Sequence, residues 1–159
     1  MGYAAPHCVV DIYYRRSRFS TRLLTDRLYT GSHFWLQERE PGVWRVGLTK
    51  FAARMLGDVV DVGFDVAAES TVRLGDALGW FEGFKARSDL YSVVAGRFVS
   101  GNPALDQDVD IIDRDRYGAG WLYEVEGTRD PDARDAAGYV RWLDEVIDRM
   151  RGHVPEGRK

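Results

Sequence analysis

Short apolar runs separated by turn residues dominate the chain from Leu28 to about Gly127. β-Branched and aromatic residues fill these runs, which is typical of strands. Gly, Asn, Asp and Pro lie between the runs and favour tight turns. The pattern predicts strands at residues 43–48, 59–64, 70–74, 77–81, 90–94, 97–99 and 121–125. Many short strands joined by tight turns indicate a mainly β domain, a sandwich or a small barrel.

Helical periodicity interrupts this pattern twice. Thr49 can cap a brief helix that ends at Gly57, with an apolar face made of Phe51, Ala52, Met55 and Leu56. A longer C-terminal helix is predicted with Asp130 as its cap and Pro131 in its first turn. Its apolar positions recur at spacings of three and four: Ala136, Tyr139, Val140, Leu143, Val146, Ile147 and Met150. Its opposite face is expected to be solvated: Arg134, Arg141, Asp144, Asp148 and Arg151.

The first 27 residues differ from the rest in charge. Five arginines stand there against Asp11 and Asp26, whereas the remainder of the chain is acidic. We therefore divide the chain into an Arg-rich extension (1–27), a β domain (28–127), and a C-terminal helix and tail (128–159) that pack on that domain. Within the extension, apolar residues from Val9 to Tyr14 predict an added edge strand, and Phe19, Leu23 and Leu24 a short helix.

Composition excludes several classes of function. A net charge of −3 and a pI near 5.6 argue against nucleic-acid binding. The single cysteine, Cys8, excludes a disulfide framework and favours a reducing compartment. His7, His33 and His153 are too scattered to predict a metal site. No apolar run is long enough for a membrane span. We expect a soluble, cytoplasmic protein and find no pattern of catalytic residues.

Lysine usage singles out one position. The chain has nineteen arginines but only three lysines, Lys50, Lys85 and Lys159. Lys85 falls between two predicted strands, at or near the tip of a hairpin, and Phe84 stands beside it where a turn normally has a polar residue. Most turn lysines are simply solvated. An exposed aromatic ring next to a lone amine indicates a surface that another protein recognises.

This segment resembles the lipoyl-attachment hairpin of the glycine cleavage system H-protein family. The usual family pattern is Glu-Ser-x-Lys-Ala-x-Ser-Asp, and the segment from Glu82 to Asp89 follows it except at Gly83, with Lys85 at the lipoylated position. The resemblance extends from about residue 28 to 150. Further matching motifs are Tyr29-Thr30 with His33-Phe34-Trp35, Val46-Gly47-Leu48-Thr49, Leu56-Gly57-Asp58-Val59-Val60, and Tyr117-Gly118-Ala119-Gly120-Trp121-Leu122.

The resemblance implies a non-catalytic carrier. The fold would be a barrel-sandwich hybrid of two small sheets with flanking helices and a C-terminal α-helix. Lipoate would be joined by an amide to Lys85, and Glu82, Phe84 and Asp89 would help lipoylating enzymes or partners recognise the hairpin. In this family the loaded arm can fold back onto the body, and His33 is a candidate wall of that cleft. A packed structural histidine is the alternative interpretation of His33.

Departures from the family pattern bear on the cargo. Gly83-Phe84 replaces the usual Ser-Val, and Asp113 and Arg116 stand where Asn and Pro are usual. With the Arg-rich extension, these changes slightly favour the H-protein-like lipoate-binding group of bacterial sulfur oxidation, whose partner is a heterodisulfide-reductase-like complex.

Two alternatives stay open. The first is glycine cleavage, with a glycine decarboxylase, an aminomethyltransferase and dihydrolipoyl dehydrogenase as partners. A lipoate ligase or lipoyl transferase is implied for either carrier role. The second alternative is an interaction module that kept the fold without the lipoyl group.

Overall fold

The computed structural model of the chain describes residues 10–152. Its strands are β1 (Asp11–Arg16), β2 (Phe19–Leu24), β3 (Leu28–Tyr29), β4 (Phe34–Glu40), β5 (Val43–Leu48), β6 (Val59–Phe64), β7 (Thr71–Val72), β8 (Ala77–Gly83), β9 (Arg87–Tyr91), β10 (Val94–Gly101) and β11 (Tyr123–Arg129). The α-helices are α1 (Lys50–Leu56), α2 (Ile111–Arg114) and α3 (Ala136–Met150), and a 3₁₀ turn covers Pro103–Asp106.

Two sheets enclose the main core. One has six strands in the order β3-β4-β5-β11-β10-β7, and the other has three in the order β6-β8-β9. Apolar side chains from both sheets form one buried cluster that includes Phe34, Leu48, Phe81, Leu90 and Val125. Burial of this surface is the main stabilising contribution to such a fold. The predicted mainly β architecture, two small sheets with flanking helices and a C-terminal helix, is confirmed.

Helix α1 forms as its cap signals predict. The Thr49 hydroxyl accepts a hydrogen bond from the Ala52 N–H, and Gly57 ends the helix in the left-handed conformation, with φ of 73°. Glycine adopts that conformation without the steric cost that a Cβ brings. The helix has seven residues and buries Phe51, Ala53 and Leu56.

The predicted start of the C-terminal helix is wrong. Asp135 caps α3 by accepting a hydrogen bond from the Gly138 N–H, and the helix begins at Ala136. Asp130 instead opens a turn in which its carboxylate accepts from the Asp132 N–H at 2.8 Å, and Arg134 after it pairs with Tyr29 in an isolated β-bridge. Pairing with Tyr29 keeps the backbone extended at Arg134, so the helix starts only after Asp135, although both aspartates are suitable caps.

The N-terminal segment is a β-hairpin. The predicted helix at Phe19, Leu23 and Leu24 is wrong, because these residues form strand β2, which pairs with β1. Strand β1 therefore belongs to a separate two-stranded sheet and is not an edge strand of the main body. Apolar positions spaced by four fit both a helix and a strand, so pairing with β1 determines the outcome.

Contacts with both α1 and α3 hold this hairpin. The ring of Phe19 meets that of Phe51 edge-on at 5.4 Å. On α3, Asp144 accepts a hydrogen bond from the Tyr14 hydroxyl at 2.8 Å, and Asp148 accepts two from the Arg16 guanidinium, each at 2.8 Å. The expectation of a wholly solvated charged face on α3 is therefore wrong at Asp144 and Asp148.

The break predicted between the strands at residues 90–94 and 97–99 is also wrong. Ala95-Gly96 lies inside strand β10, so the separate strands expected at residues 90–94 and 97–99 do not exist as such. Gly96 pairs with Gly127, and a Cβ on either glycine would collide with the backbone of the opposite strand. The two strands can approach closely at this point because neither glycine has a Cβ. The break lies instead at Ser92-Val93, where the chain passes from β9 of the three-stranded sheet to β10 of the six-stranded sheet.

No helix among residues 10–152 is long and apolar enough to cross a membrane.

Replacing Phe19 tests whether the hairpin folds as part of the body. Phe19→Ala removes a ring that is only 8% exposed and should lower the free energy of unfolding by about 3 kcal/mol. Tyr13→Ala, on the exposed face of the same hairpin, should change it by less than about 0.5 kcal/mol. Urea unfolding followed by circular dichroism measures both. Equal small effects would show that the hairpin contributes nothing to the stability of the body.

Candidate functional site

Lys85 lies at the tip of the hairpin formed by β8 and β9. Glu82 pairs with Arg87, and the Gly83 N–H donates to the Ala86 carbonyl at 2.8 Å, which leaves Phe84 and Lys85 as the two residues of the turn. The Lys85 side chain is exposed. Within residues 10–152, no carboxylate forms an ion pair with its amine. The amine is therefore accessible to an acylating enzyme.

Backbone hydrogen bonds join this turn to the end of α1. The Lys85 N–H donates to the Leu56 carbonyl at 2.9 Å, and the Phe84 N–H donates to the Asp58 carbonyl at 3.3 Å. The last carbonyls of a helix have no partner within the helix. The turn therefore satisfies one of the free carbonyls of α1 and is held in a fixed position by it.

Two glycines make this contact possible. A Cβ on Gly57 would lie 2.5 Å from the Cγ of Lys85, and a Cβ on Gly83 would collide with the Leu56 carbonyl oxygen. Backbones can approach this closely only where no side chain intervenes. Gly83, which departs from the Ser of the family pattern, thus has a local packing explanation. The sequence offers Gly57 as the end of a helix but gives no signal that it also contacts Lys85.

The other predicted residues of the hairpin are exposed. Phe84 is 81% exposed, the highest value among the large hydrophobic side chains of residues 10–152. Glu82 and Asp89 are exposed on the two strands below the tip. Asp89 accepts a long hydrogen bond, 3.5 Å, from the Tyr91 hydroxyl. These side chains are available to a protein that approaches the tip.

A cavity of about 240 Å³ opens beside the hairpin. Its apolar walls come from β4, β5, α1 and β8: Phe34, Leu48, Ala52, Met55, Leu56 and Phe81. Its polar lining consists of Ser32, His33, Ser88, Asp89 and Tyr91. Ser88 is three residues from Lys85, a separation of about 10 Å along a strand. The fold therefore brings His33 and Asp89 to one cavity close to the Lys85 turn.

A chain of hydrogen bonds sets the protonation of His33. The Thr49 hydroxyl donates to the His33 carbonyl at 2.9 Å, and the Tyr139 hydroxyl donates to the Thr49 oxygen at 3.1 Å. The proton of Tyr139 is thereby committed, so its oxygen accepts at 2.7 Å from Nδ1–H of His33. Nε2 of the neutral ring then carries a lone pair. Neither Thr49 nor Tyr139 could be connected with His33 from the sequence.

Burial lowers the pKa of His33 to about 4, and the nearby positive charge of Arg134 contributes in the same direction. The ring packs at 4.6 Å from that of Phe51. His33 is therefore neutral at physiological pH. His33 is packed in the body and also lines the cavity. The two interpretations of His33, as a wall of the cleft and as a packed structural histidine, therefore do not exclude each other.

The remaining candidate residues, His7, Cys8 and His153, lie outside the described residues. Within residues 10–152, no three His, Cys, Asp or Glu side chains converge in a way that could hold a metal ion.

Comparison with known proteins identifies relatives over most of the chain. The model of the glycine cleavage H-protein family matches residues 27–138. The glycine cleavage system H protein of Beutenbergia cavernae is 43% identical over 117 residues, 73% of this chain and 92% of that protein. The corresponding protein of Corynebacterium jeikeium is 40% identical over 122 residues, 75% of this chain and 95% of its own length.

A solved structure agrees with these matches. The crystal structure of a glycine cleavage system H protein from Mycobacterium marinum superposes with a TM-score of 0.67 and 35% sequence identity. The alignment covers 76% of this chain and 98% of that one.

Substitution of Gly57 tests the contact between α1 and the Lys85 turn. Gly57→Ala should accelerate hydrogen exchange at the Lys85 amide, because the new Cβ displaces the turn from the Leu56 carbonyl. Gly75→Ala is the matched control: its φ is also positive, 86°, but no atom lies within 4 Å of the new Cβ. Equal protection of the Lys85 amide in both variants would contradict the proposed contact.

The lowered pKa of His33 predicts a loss of stability in acid. The unfolded ring binds a proton below about 6.5, whereas the folded ring binds one only below about 4. Between these values, acid stabilises the unfolded chain. From pH 7 to pH 5 the wild type should lose on the order of 2 kcal/mol more than His33→Asn.

Asparagine suits this comparison because it tolerates the φ of 75° at position 33. Urea unfolding at pH 7 and at pH 5 measures the change in the free energy of unfolding for each protein. Any effect of the substitution that does not depend on pH cancels when the two changes are compared. Parallel pH profiles for the two proteins would show that His33 titrates normally in the folded state.

Proposed function

This chain belongs to the glycine cleavage H-protein family, and we propose that it is a lipoyl carrier whose arm is attached to Lys85. Proteins of this family carry lipoate covalently on a lysine. The observation that supports Lys85 is its place at an exposed hairpin tip without a carboxylate partner among residues 10–152. An amide bond at this amine would leave the arm projecting from a turn that the body holds in position.

The cargo we propose is the aminomethyl group of glycine cleavage. The sequence slightly favoured sulfur oxidation, but the comparisons favour its alternative, because the relatives described above are glycine cleavage proteins matched over more than nine tenths of their length. The unusual Gly83 has an explanation in local packing and gives no reason to infer a different cargo.

The chemistry of transfer belongs to the cofactor: the dithiolane of lipoate opens to take up a group and closes after releasing it. The chain supplies the attachment and the surroundings. Lys85 provides the amine, and the Leu56 carbonyl fixes the backbone of the turn. Because this hydrogen bond already positions the turn, the backbone around Lys85 need not rearrange when the arm is loaded.

The cavity beside the hairpin is the proposed resting place of the arm. Its apolar lining would exclude water from the carried group. Nε2 of His33, with its lone pair, could accept a hydrogen bond from that group, and Asp89 would add a negative charge at the rim. The carried aminomethyl group is basic, so both contacts favour its protonated form.

Partners follow from the proposed cargo. A glycine decarboxylase would load the arm, an aminomethyltransferase would unload it, and dihydrolipoyl dehydrogenase would reoxidise it. A lipoate ligase or lipoyl transferase would attach it. We propose that these enzymes recognise Glu82, Phe84 and Asp89, because all three are exposed around Lys85 and Phe84 offers an apolar anchor.

The decisive variant is Lys85→Arg, which retains the positive charge but removes the amine that can be acylated. Wild type and variant are incubated with a lipoate ligase and then with glycine decarboxylase, and exchange between the glycine carboxyl group and labelled bicarbonate is measured. Wild type should support exchange, and Lys85→Arg should reduce it to background. Lys159→Arg is the matched control and should behave as wild type.

Undiminished exchange with Lys85→Arg would refute Lys85 as the attachment residue. A lipoylated wild type that glycine decarboxylase does not load, but that serves a heterodisulfide-reductase-like complex, would refute the proposed cargo. A wild type that no lipoate ligase or lipoyl transferase modifies would favour the interaction module.

A further inference from the structure

A second cavity, of about 270 Å³, lies on another side of α1. It shares no lining residue with the cavity that contains His33. Three of its lining residues are cations and two are carboxylates, which leaves an excess of positive charge: Lys50, Arg54 and Arg116 against Asp58 and Asp113, with Ala53 completing the wall. We call it the basic cavity.

Arg116 is largely buried, since its side chain is only 12% exposed. Its Nη2 donates to Asp113 at 2.9 Å, whereas its Nη1 is buried without an acceptor in the part of the chain that the structure describes. A buried donor without a partner costs free energy. Because Nη1 is also inaccessible to solvent, a ligand would reach it only after the Arg116 side chain moved toward the cavity.

The other two cations are held by the N-terminal hairpin. Nζ of Lys50 donates to the Ser20 carbonyl at 2.7 Å, and the Arg54 guanidinium lies 5.8 Å from the centre of the Phe19 ring. Arg54 is exposed and forms no ion pair within residues 10–152. The hairpin lies before residue 27, where the family match begins. The cations themselves lie within the family match, whereas the segment that contacts Lys50 and Arg54 lies outside it.

The basic cavity adjoins the Lys85 turn. Asp58, one of its lining residues, accepts the hydrogen bond from Phe84 at 3.3 Å. Arg54 belongs to the last turn of α1, whose end contacts Lys85. An enzyme that encloses the Lys85 side chain would therefore approach the rim of this cavity.

We propose that the basic cavity binds a carboxylate side chain of the enzyme that loads the arm, a role that rests on the carrier function proposed above. Guanidinium groups pair with carboxylates through two parallel hydrogen bonds. A carboxylate in the cavity would offset the excess charge, and a shift of the Arg116 side chain toward it would also give Nη1 its missing acceptor. Such contacts orient the partner and strengthen binding, whereas the chemistry remains with the arm.

The test uses the lipoylated protein and glycine decarboxylase, with the KM for the carrier measured across a range of salt concentrations. Arg54→Gln and Arg116→Gln should each raise the KM by about tenfold with kcat retained, and each should weaken its dependence on salt. Arg54→Lys retains the charge and should restore most of the affinity. Circular dichroism melting verifies that each variant folds.

Two exposed arginines outside the cavity provide matched controls. Arg114, on α2, pairs with Asp108, and Arg73 lies in a distant turn with 85% of its side chain exposed. Arg114→Gln and Arg73→Gln should leave the KM unchanged. Variants of Arg54 and Arg116 with the wild-type KM would overturn the proposal while leaving the carrier function intact.

Two further outcomes would also contradict it. If the same variants lost affinity for inorganic phosphate but retained the KM, the cavity would be a site for small anions. If glycine decarboxylase did not load the wild type at all, the proposed carrier function itself would fail, and the docking proposal with it.

Discussion

The hydrogen bond from the Lys85 N–H to the Leu56 carbonyl is the contact on which the proposed function depends. Together with the bond from the Phe84 N–H to the Asp58 carbonyl, it joins the hairpin tip to the end of helix α1. The restraint lies in the backbone, so the Lys85 side chain remains free to be modified and to move. Gly57 and Gly83 permit the contact because neither places a Cβ between the two segments. A rigid base with a mobile arm is the physical requirement of a carrier.

Helix α1 connects this turn with the rest of the molecule. At its N-terminal end Thr49 caps the helix and joins the hydrogen bonds of His33 and Tyr139. On one side, Lys50 and Phe51 contact the N-terminal hairpin. At its C-terminal end Leu56 holds the turn. A helix of seven residues thus adjoins both cavities and the attachment site, so displacement of α1 would alter all three together.

Features with a strong local signal could be predicted from the sequence. Helix α1 has the predicted capping residue and terminal glycine, and strands β5 and β6 have the predicted bounds. Errors arose where the local signal was ambiguous and a distant contact decided. Strand β2 is a strand because β1 pairs with it, and α3 begins at Ala136 because Arg134 pairs with Tyr29. The same limit applies to the site: the tip position of Lys85 follows from its neighbours, but its contact with Leu56 joins segments that are far apart in sequence.

Peptide mapping by mass spectrometry of the chain purified from its native host tests the central claim most directly. The peptide that contains Lys85 should carry a lipoyl group joined by an amide, and the peptide that contains Lys50 should be unmodified. Lys50 provides an internal comparison because its amine is engaged by the Ser20 carbonyl. An unmodified Lys85 in cells whose other lipoyl proteins are fully lipoylated, or a lipoyl group on Lys50 instead, would contradict the account.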